Sequence, residues 1–155
     1  MPVTFHWLAK DKIIYTHFSG VVTISEIKQV ATESINLINS INSESPLIHG
    51  IVDNRDVIQF PQNTYQVNRA LYKLLRHQRL GWIIYVTDMN PILKMLSSLV
   101  AQMAQTRYRS FSTPQDAIEF LQYVDTSLPD LPIVDWSSLP VILEIENINE
   151  SNSTT

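Results

Sequence analysis

Apolar and polar positions alternate over residues 3 to 8 and 13 to 18, with the polar stretch Lys10, Asp11, Lys12 between them. Period-two alternation interrupted by a short polar segment predicts a β-hairpin. Val3, Phe5 and Trp7 then share a face with Ile14, Thr16 and Phe18, while Thr4 and His6 join Tyr15 and His17 on the other. The first of these faces is the expected core side. Gly20 closes the hairpin, and Thr23 to Glu26 (TISE) has the form of a capping box, so a helix is expected to start there. Ile24, Ile27, Ala31, Ile35 and Ile38 recur at steps of three and four, and NSINSESP predicts the helix end near residue 41.

Leu47 to Asp53 is short, apolar and bounded by breakers, the signature of a strand covered on both faces. A helix follows over 63 to 77, with Val67, Ala70, Leu71, Leu74 and Leu75 inward. Gly81 to Thr87 (GWIIYVT) is a second buried strand. It leads to Asn90 as an amino-cap and Pro91 at the first position of a helix, whose inward stripe is Ile92, Leu93, Leu96, Leu99, Val100 and Met103. Residues 107 to 111 form a short strand. Thr113, Pro114 and Asp116 then open a helix to about Tyr123, with Ala117, Ile118 and Leu121 inward.

The order β-β-α-β-α-β-α-β-α predicts an α/β sandwich: a hairpin feeding a mixed, mostly parallel sheet of about five strands, with right-handed crossovers and amphipathic helices. One domain is expected over residues 1 to 125. Residues 126 to 155 read as a proline-rich acidic tail with a disordered end, tethered through Trp136 or Leu131.

Composition narrows the class. The 155 residues are 45 % hydrophobic and 17 % charged, enough for a sizeable core without disulfides. The absence of cysteine removes thiol catalysis and thiolate metal sites. No apolar run approaches the roughly 20 residues of a membrane span, and the amino end lacks a basic start followed by a long apolar stretch. A cytoplasmic protein is expected. The net charge of −4 hides an asymmetry: 11 basic and 7 acidic residues lie up to Arg109, then 8 acidic and no basic ones. This balance argues against nucleic acid as a partner.

Three stretches carry a resemblance: the hairpin ending in glycine (HFSGVVTISEI), the buried strand ending in aspartate (LIHGIVDNRDV), and GWIIYVTD before a helix. Together, over residues 3 to 123, the chain resembles the STAS family, the domains shared by sulfate transporters and anti-sigma-factor antagonists. Lipid-binding Sec14-type domains share the same plan. The resemblance implies a phosphorylated serine in an Asp-Ser-Ser-Gly turn opening the helix after the aspartate-ended strand. This chain has Pro61 and Gln62 where Asp and Ser would fall, so the family's phospho-acceptor motif is missing, and Thr64 is the conceivable substitute at the helix amino end.

In an open α/β sheet, ligands bind outside the carboxyl ends of parallel strands. Asp53, Asn54, Arg55, Asp56 and Thr87, Asp88, Asn90 fall there. Their plainer reading is turns and caps, with Arg55 paired to a neighbouring acid. A hydrolytic pair of Asp53 and Asp88 would need one carboxyl kept protonated by burial. His6, His17, His49 and His77 lack zinc-site spacing, although His6 and His17 share a hairpin face. There is no G-x-S-x-G, and three glycines leave no phosphate loop or dinucleotide fingerprint. No catalytic, metal or cofactor residue is assigned, and a non-enzymatic protein is expected.

The remaining signals concern partners. At 100° per residue, Arg69, Lys73 and Arg76 line one ridge of the 63 to 77 helix, with Tyr65 and Tyr72 alongside. This is either a solvated face or a contact ridge for an acidic partner, an anionic headgroup or the protein's own tail. Lys94, Ser98, Ala101, Gln102 and Gln105 form a weakly charged outward face suited to protein contact and homodimerisation. The leading expectation is a regulatory, bacterial protein-interaction module using Arg55 and both helices. The alternative is a carrier of a small apolar or lipid-like ligand in a cavity under residues 91 to 105.

Overall fold

The computed structural model describes residues 3–42, 47–87, 95, 102, 107–131 and 135–145. Strands β1 (Val3–Ala9) and β2 (Ile13–Val21) form the hairpin, in a register that sets Phe5 opposite Thr16, Trp7 opposite Ile14, Thr4 opposite His17 and His6 opposite Tyr15. Asp11 occupies the left-handed region at φ 63° in the turn, a conformation that aspartate tolerates. Helix α1 (Ile24–Ser40) starts with the capping box that TISE encodes: the Glu26 amide donates to the Thr23 hydroxyl, and the Thr23 amide donates back to the Glu26 carboxylate, both at 3.2 Å.

Strand β3 (Ile48–Gln59) runs parallel to β2, helix α2 (Thr64–Leu75) starts behind the Asn63 cap, and β4 (Leu80–Val86) runs parallel to β3. Strand β5 (Tyr108–Phe111) is parallel to β4, and helix α3 (Pro114–Val124) follows with Thr113 as its cap. The helix expected over 91 to 105 lies outside the described residues except Met95 and Gln102, which are helical.

A sixth strand extends the expected sheet. After a 3-10 turn at Trp136–Ser138, β6 (Val141–Ile145) pairs antiparallel with β1, giving the order β5-β4-β3-β2-β1-β6. Residues 141 to 145 of the acidic carboxyl-terminal stretch therefore belong to the sheet, and Ile145 is buried in the core.

One reading of β3 is corrected. The polar run Asp53 to Asp56 is not a turn at a strand end, because the strand continues to Gln59. His17 pairs with Asp53 and Ser19 with Asp56, so β3 carries one extra residue there, a β-bulge. The bulge keeps the backbone bonded to β2, which itself runs on to Val21, while it re-aims the polar side chains.

Both faces of the sheet are buried, which corrects the expectation that only one hairpin face is the core side. Helices α1 and α2 cover the face that carries Val3, Phe5, Ile14, Ile48, Ile83 and Tyr85. On the opposite face, α3 covers Ile13, Tyr15, Ile51, Ile84 and Val86, and Leu128, Leu131, Trp136 and Leu139 pack against the same cluster. Both expected tethers, Trp136 and Leu131, are thus in contact with the body. The half-buried Trp136 indole stacks on His17 at 3.7 Å between centroids and 11° between planes. Replacing it by alanine removes that stack and opens the edge of the second core. We expect a loss of about 2 kcal/mol in denaturant unfolding, with increased binding of a hydrophobic dye. Unchanged dye fluorescence would mean that the neighbouring leucines seal this face without it.

Candidate functional site

The interior of β2 and β3, beside the bulge, holds a dense polar network. Asp53 has no exposed surface and accepts four hydrogen bonds: from the Tyr15 hydroxyl at 2.5 Å, from Arg55 Nη2 at 2.8 Å and Nε at 3.0 Å, and from the Arg55 amide at 3.1 Å. Burial alone would push the Asp53 carboxyl up, but the hydrogen bonds from Arg55 and Tyr15 outweigh it and hold the group below the usual carboxylate range. The same pair drives its partners the other way. The Asp53 carboxylate raises the Arg55 guanidinium, and burial, reinforced by Asp53, raises the Tyr15 hydroxyl far above its ordinary value.

Histidines lie along the same strands and on β1. His17 donates from Nε2 to Asp56 at 2.6 Å while its ring lies against Trp136. His6 meets the edge of the same indole at 5.6 Å and bonds the Leu139 carbonyl at 3.2 Å. The two hairpin histidines do come together as their shared face implied, with Trp136 as the third member. On β3, His49 accepts the Trp82 amide on Nδ1 at 2.9 Å and therefore donates from Nε2 to Asp125 at 2.8 Å. The bonds from Ser127 and His49 hold the Asp125 carboxyl below its ordinary value despite burial. These groups are bonded to one another or to the backbone, the buried Asn54 Oδ1 beside them has no partner, and among the described residues no three His, Asp or Glu side chains converge as a metal site would require. Asp88 and Asn90 lie outside the described residues.

The second region is the outer surface of α1 and α2. Between the helices runs an open groove of about 760 Å3, lined by Ala31, Thr32 and Ile35 from α1 and by Tyr65, Asn68, Arg69, Ala70, Tyr72 and Lys73 from α2. Tyr65 is 66 % and Tyr72 43 % exposed. The Arg76 guanidinium sits 5.2 Å from the centre of the Tyr72 ring. The sequence explains why this wall is cationic: residues 57 to 87 contain no acidic side chain and four basic ones. Arg79 is used by the fold, donating to the Ile38 and Ile41 carbonyls at the end of α1 at 3.2 and 2.7 Å. Arg69, Lys73 and Arg76 stay exposed.

The residues marked by sequence thus divide. Tyr65, Arg69, Tyr72, Lys73 and Arg76 share the α2 surface as the helical spacing implied. Arg55 does not join them, because it is held on Asp53, which bonds Tyr15 on the side of the sheet covered by α3. Thr64 is the first residue of α2, directly behind the Asn63 cap, whose Oδ1 accepts the Gln66 amide at 3.1 Å. Lys94, Ser98 and Ala101 lie outside the described residues, and exposed Gln102 donates to the Tyr108 hydroxyl at 3.3 Å. Sequence reasoning missed the α1 wall of the groove, since no motif shows that two helices separated by residues 41 to 63 lie side by side.

No helix among the described residues is long and apolar enough to cross a membrane. No family description matches the chain, and no curated protein matches it. Among solved structures, it is similar to an uncharacterized DUF3478-family protein with a SpoIIAA-like fold from Shewanella loihica PV-4. The identity is 12 %, the TM-score 0.55, and the match covers 77 % of this chain and 91 % of that one. At that identity the likeness concerns the fold alone, and together with the six-stranded sheet and its helices it shows that the chain has a SpoIIAA-like, that is STAS-like, fold.

Proposed function

We propose that this protein is a non-enzymatic interaction module that captures a protein partner on the α1–α2 surface. The observation that carries the reading is the open groove walled by Tyr65, Arg69, Tyr72 and Lys73. Exposed tyrosines beside arginine are the side chains most enriched where proteins meet, because they bury large area at small entropic cost. A supporting consideration comes from the polar groups of β2 and β3. The groups best suited to acid–base chemistry, Asp53, Tyr15 and His17, are bonded to Arg55, to each other and to Asp56. A carboxylate with four donors cannot take a proton from a substrate without releasing one of them.

Reversing Arg69, Lys73 and Arg76 together to glutamate is the test. Affinity capture from the native cell with wild-type bait should retain a protein that the triple variant loses at least ten-fold. Thermal unfolding should stay within roughly 0.5 kcal/mol of wild type, because all three side chains are exposed. Equal capture by both baits rejects the surface as the contact. A regulatory role, and self-association through the surface of residues 94 to 105, are parts of the same proposal. Of that second surface the described residues include exposed Met95 and Gln102.

A further inference from the structure

The α1–α2 groove holds information about the chemistry of its occupant. On the charge side, Arg69 and Lys73 stand at i and i+4, with Arg76 a turn further along. Like charges at this spacing repel. No acidic residue on α2 offsets them, and among the described residues none of the three has an ion pair. Anionic groups on the occupant would relieve that repulsion. The wall contributed by α1 is uncharged: Ala31, Thr32 and Ile35 face Ala70 across the groove, so part of the lining is apolar. A small anion would leave that part wet.

The third feature is Asn68. Its side-chain oxygen is buried in the groove lining and has no hydrogen-bond partner. A buried acceptor without a donor destabilises the free protein. A phosphodiester or a free carboxylate presents acceptors only and would set oxygen against oxygen here, while inorganic phosphate or an ammonium-bearing headgroup brings a donor but no side chain for the apolar α1 wall. A polypeptide brings N–H donors together with its carboxylates. The groove is also open, and its volume lies in the range of about 300 to 1,000 Å3 common to binding clefts. An open trough of that size suits a chain segment better than a metabolite needing enclosure.

We infer that the α1–α2 groove binds an acidic peptide segment of a partner protein, with carboxylates on Arg69, Lys73 and Arg76, an apolar side chain against Ala31, Ile35 and Ala70, and an N–H donor to Asn68. The inference rests on the interaction-module reading and narrows it to one class of ligand.

The experiment is fluorescence anisotropy with the intact chain and a labelled octapeptide of sequence EELEELEE, alongside its basic counterpart KKLKKLKK. The acidic peptide should bind and the basic one should not. Raising salt from about 50 to about 500 mM should weaken binding around ten-fold, since the attraction is screened. The R69E/K73E/R76E variant should lose at least ten-fold. Asn68→Ala should move two readouts in opposite directions, weakening the peptide several-fold while raising the thermal midpoint of the free protein. Unchanged peptide affinity in Asn68→Ala overturns the donor assignment. Inorganic phosphate or phosphatidylserine vesicles that bind where the acidic peptide does not would overturn the peptide class and assign the groove to a simple anion or a lipid surface. Absence of peptide binding, with native capture still dependent on the three cations, sinks the acidic-peptide inference and leaves the module reading standing. Independence from the three cations in both assays removes both.

Discussion

Replacing Arg55 by leucine should lower stability by about 3 kcal/mol at neutral pH, and the loss should be clearly smaller near pH 4. The first part follows from burial. Asp53 has no exposed surface, and Arg55 supplies three of its four hydrogen bonds, two of them from the guanidinium. Removing the guanidinium leaves an ionised carboxylate in the interior with the Tyr15 hydroxyl and one amide, and uncompensated buried charges of this kind cost about 3 to 5 kcal/mol. The lower end applies because the Arg55 side chain is 32 % exposed, so part of its pairing energy is already shared with water.

The pH dependence supplies the sharper check. In the wild type the folded-state pKa of Asp53 is depressed, so its contribution is complete above the unfolded value of about 3.9 and is lost as pH falls through the lower folded value. In the leucine variant, burial dominates and raises the folded-state pKa. Its stability is then fully present below the unfolded value and lost as pH rises through the folded one. The two curves therefore converge on acidification. Urea unfolding of both proteins at about pH 7 and about pH 4 measures the gap. A gap of equal size at both would mean that Asp53 is not the group left stranded. Arg55→Lys keeps the charge but not the planar fork, and should fall between the two.

Much of the fold was legible because its signals are local. Thr23 with Glu26, and Thr113, cap helices where their residue types say they should, since each satisfies amides of its own first turn. Which hairpin residues share a face followed from alternation alone. What escaped is non-local. Asp, Asn and Arg are poor strand residues, so the run after Val52 reads as a strand end, and only the extended neighbour β2 reveals a bulge. Strand β6 is five residues paired with β1, and its partner lies more than 130 positions away. The cationic ridge was visible from the period of α2, whereas the apolar wall of its groove depends on α1 lying alongside, a product of topology.

The same distinction explains why a single glycine on β4 should matter more than its neighbourhood in sequence implies. A Cβ at position 81 would lie 2.4 Å from Nδ1 and 2.6 Å from Cε1 of His49, with the Leu47 Cβ at 3.3 Å. His49 is 2 % exposed and anchored at both nitrogens, by the Trp82 amide and by Asp125. It cannot yield by a small torsion without breaking one of those bonds, and leaving the site breaks both. The Trp82 amide would then lose its acceptor at the β4 irregularity between Leu80 and Ile83. Gly81→Ala should therefore cost about 3 kcal/mol, the sum of the lost His49–Asp125 bond and an orphaned Trp82 amide. His49→Ala empties the space that the new methyl needs. In that background the Gly81→Ala change should cost under about 1 kcal/mol, so that a double-mutant cycle returns a coupling of about 2 kcal/mol. Additive losses would place the penalty in the β4 backbone itself and remove His49 from the explanation.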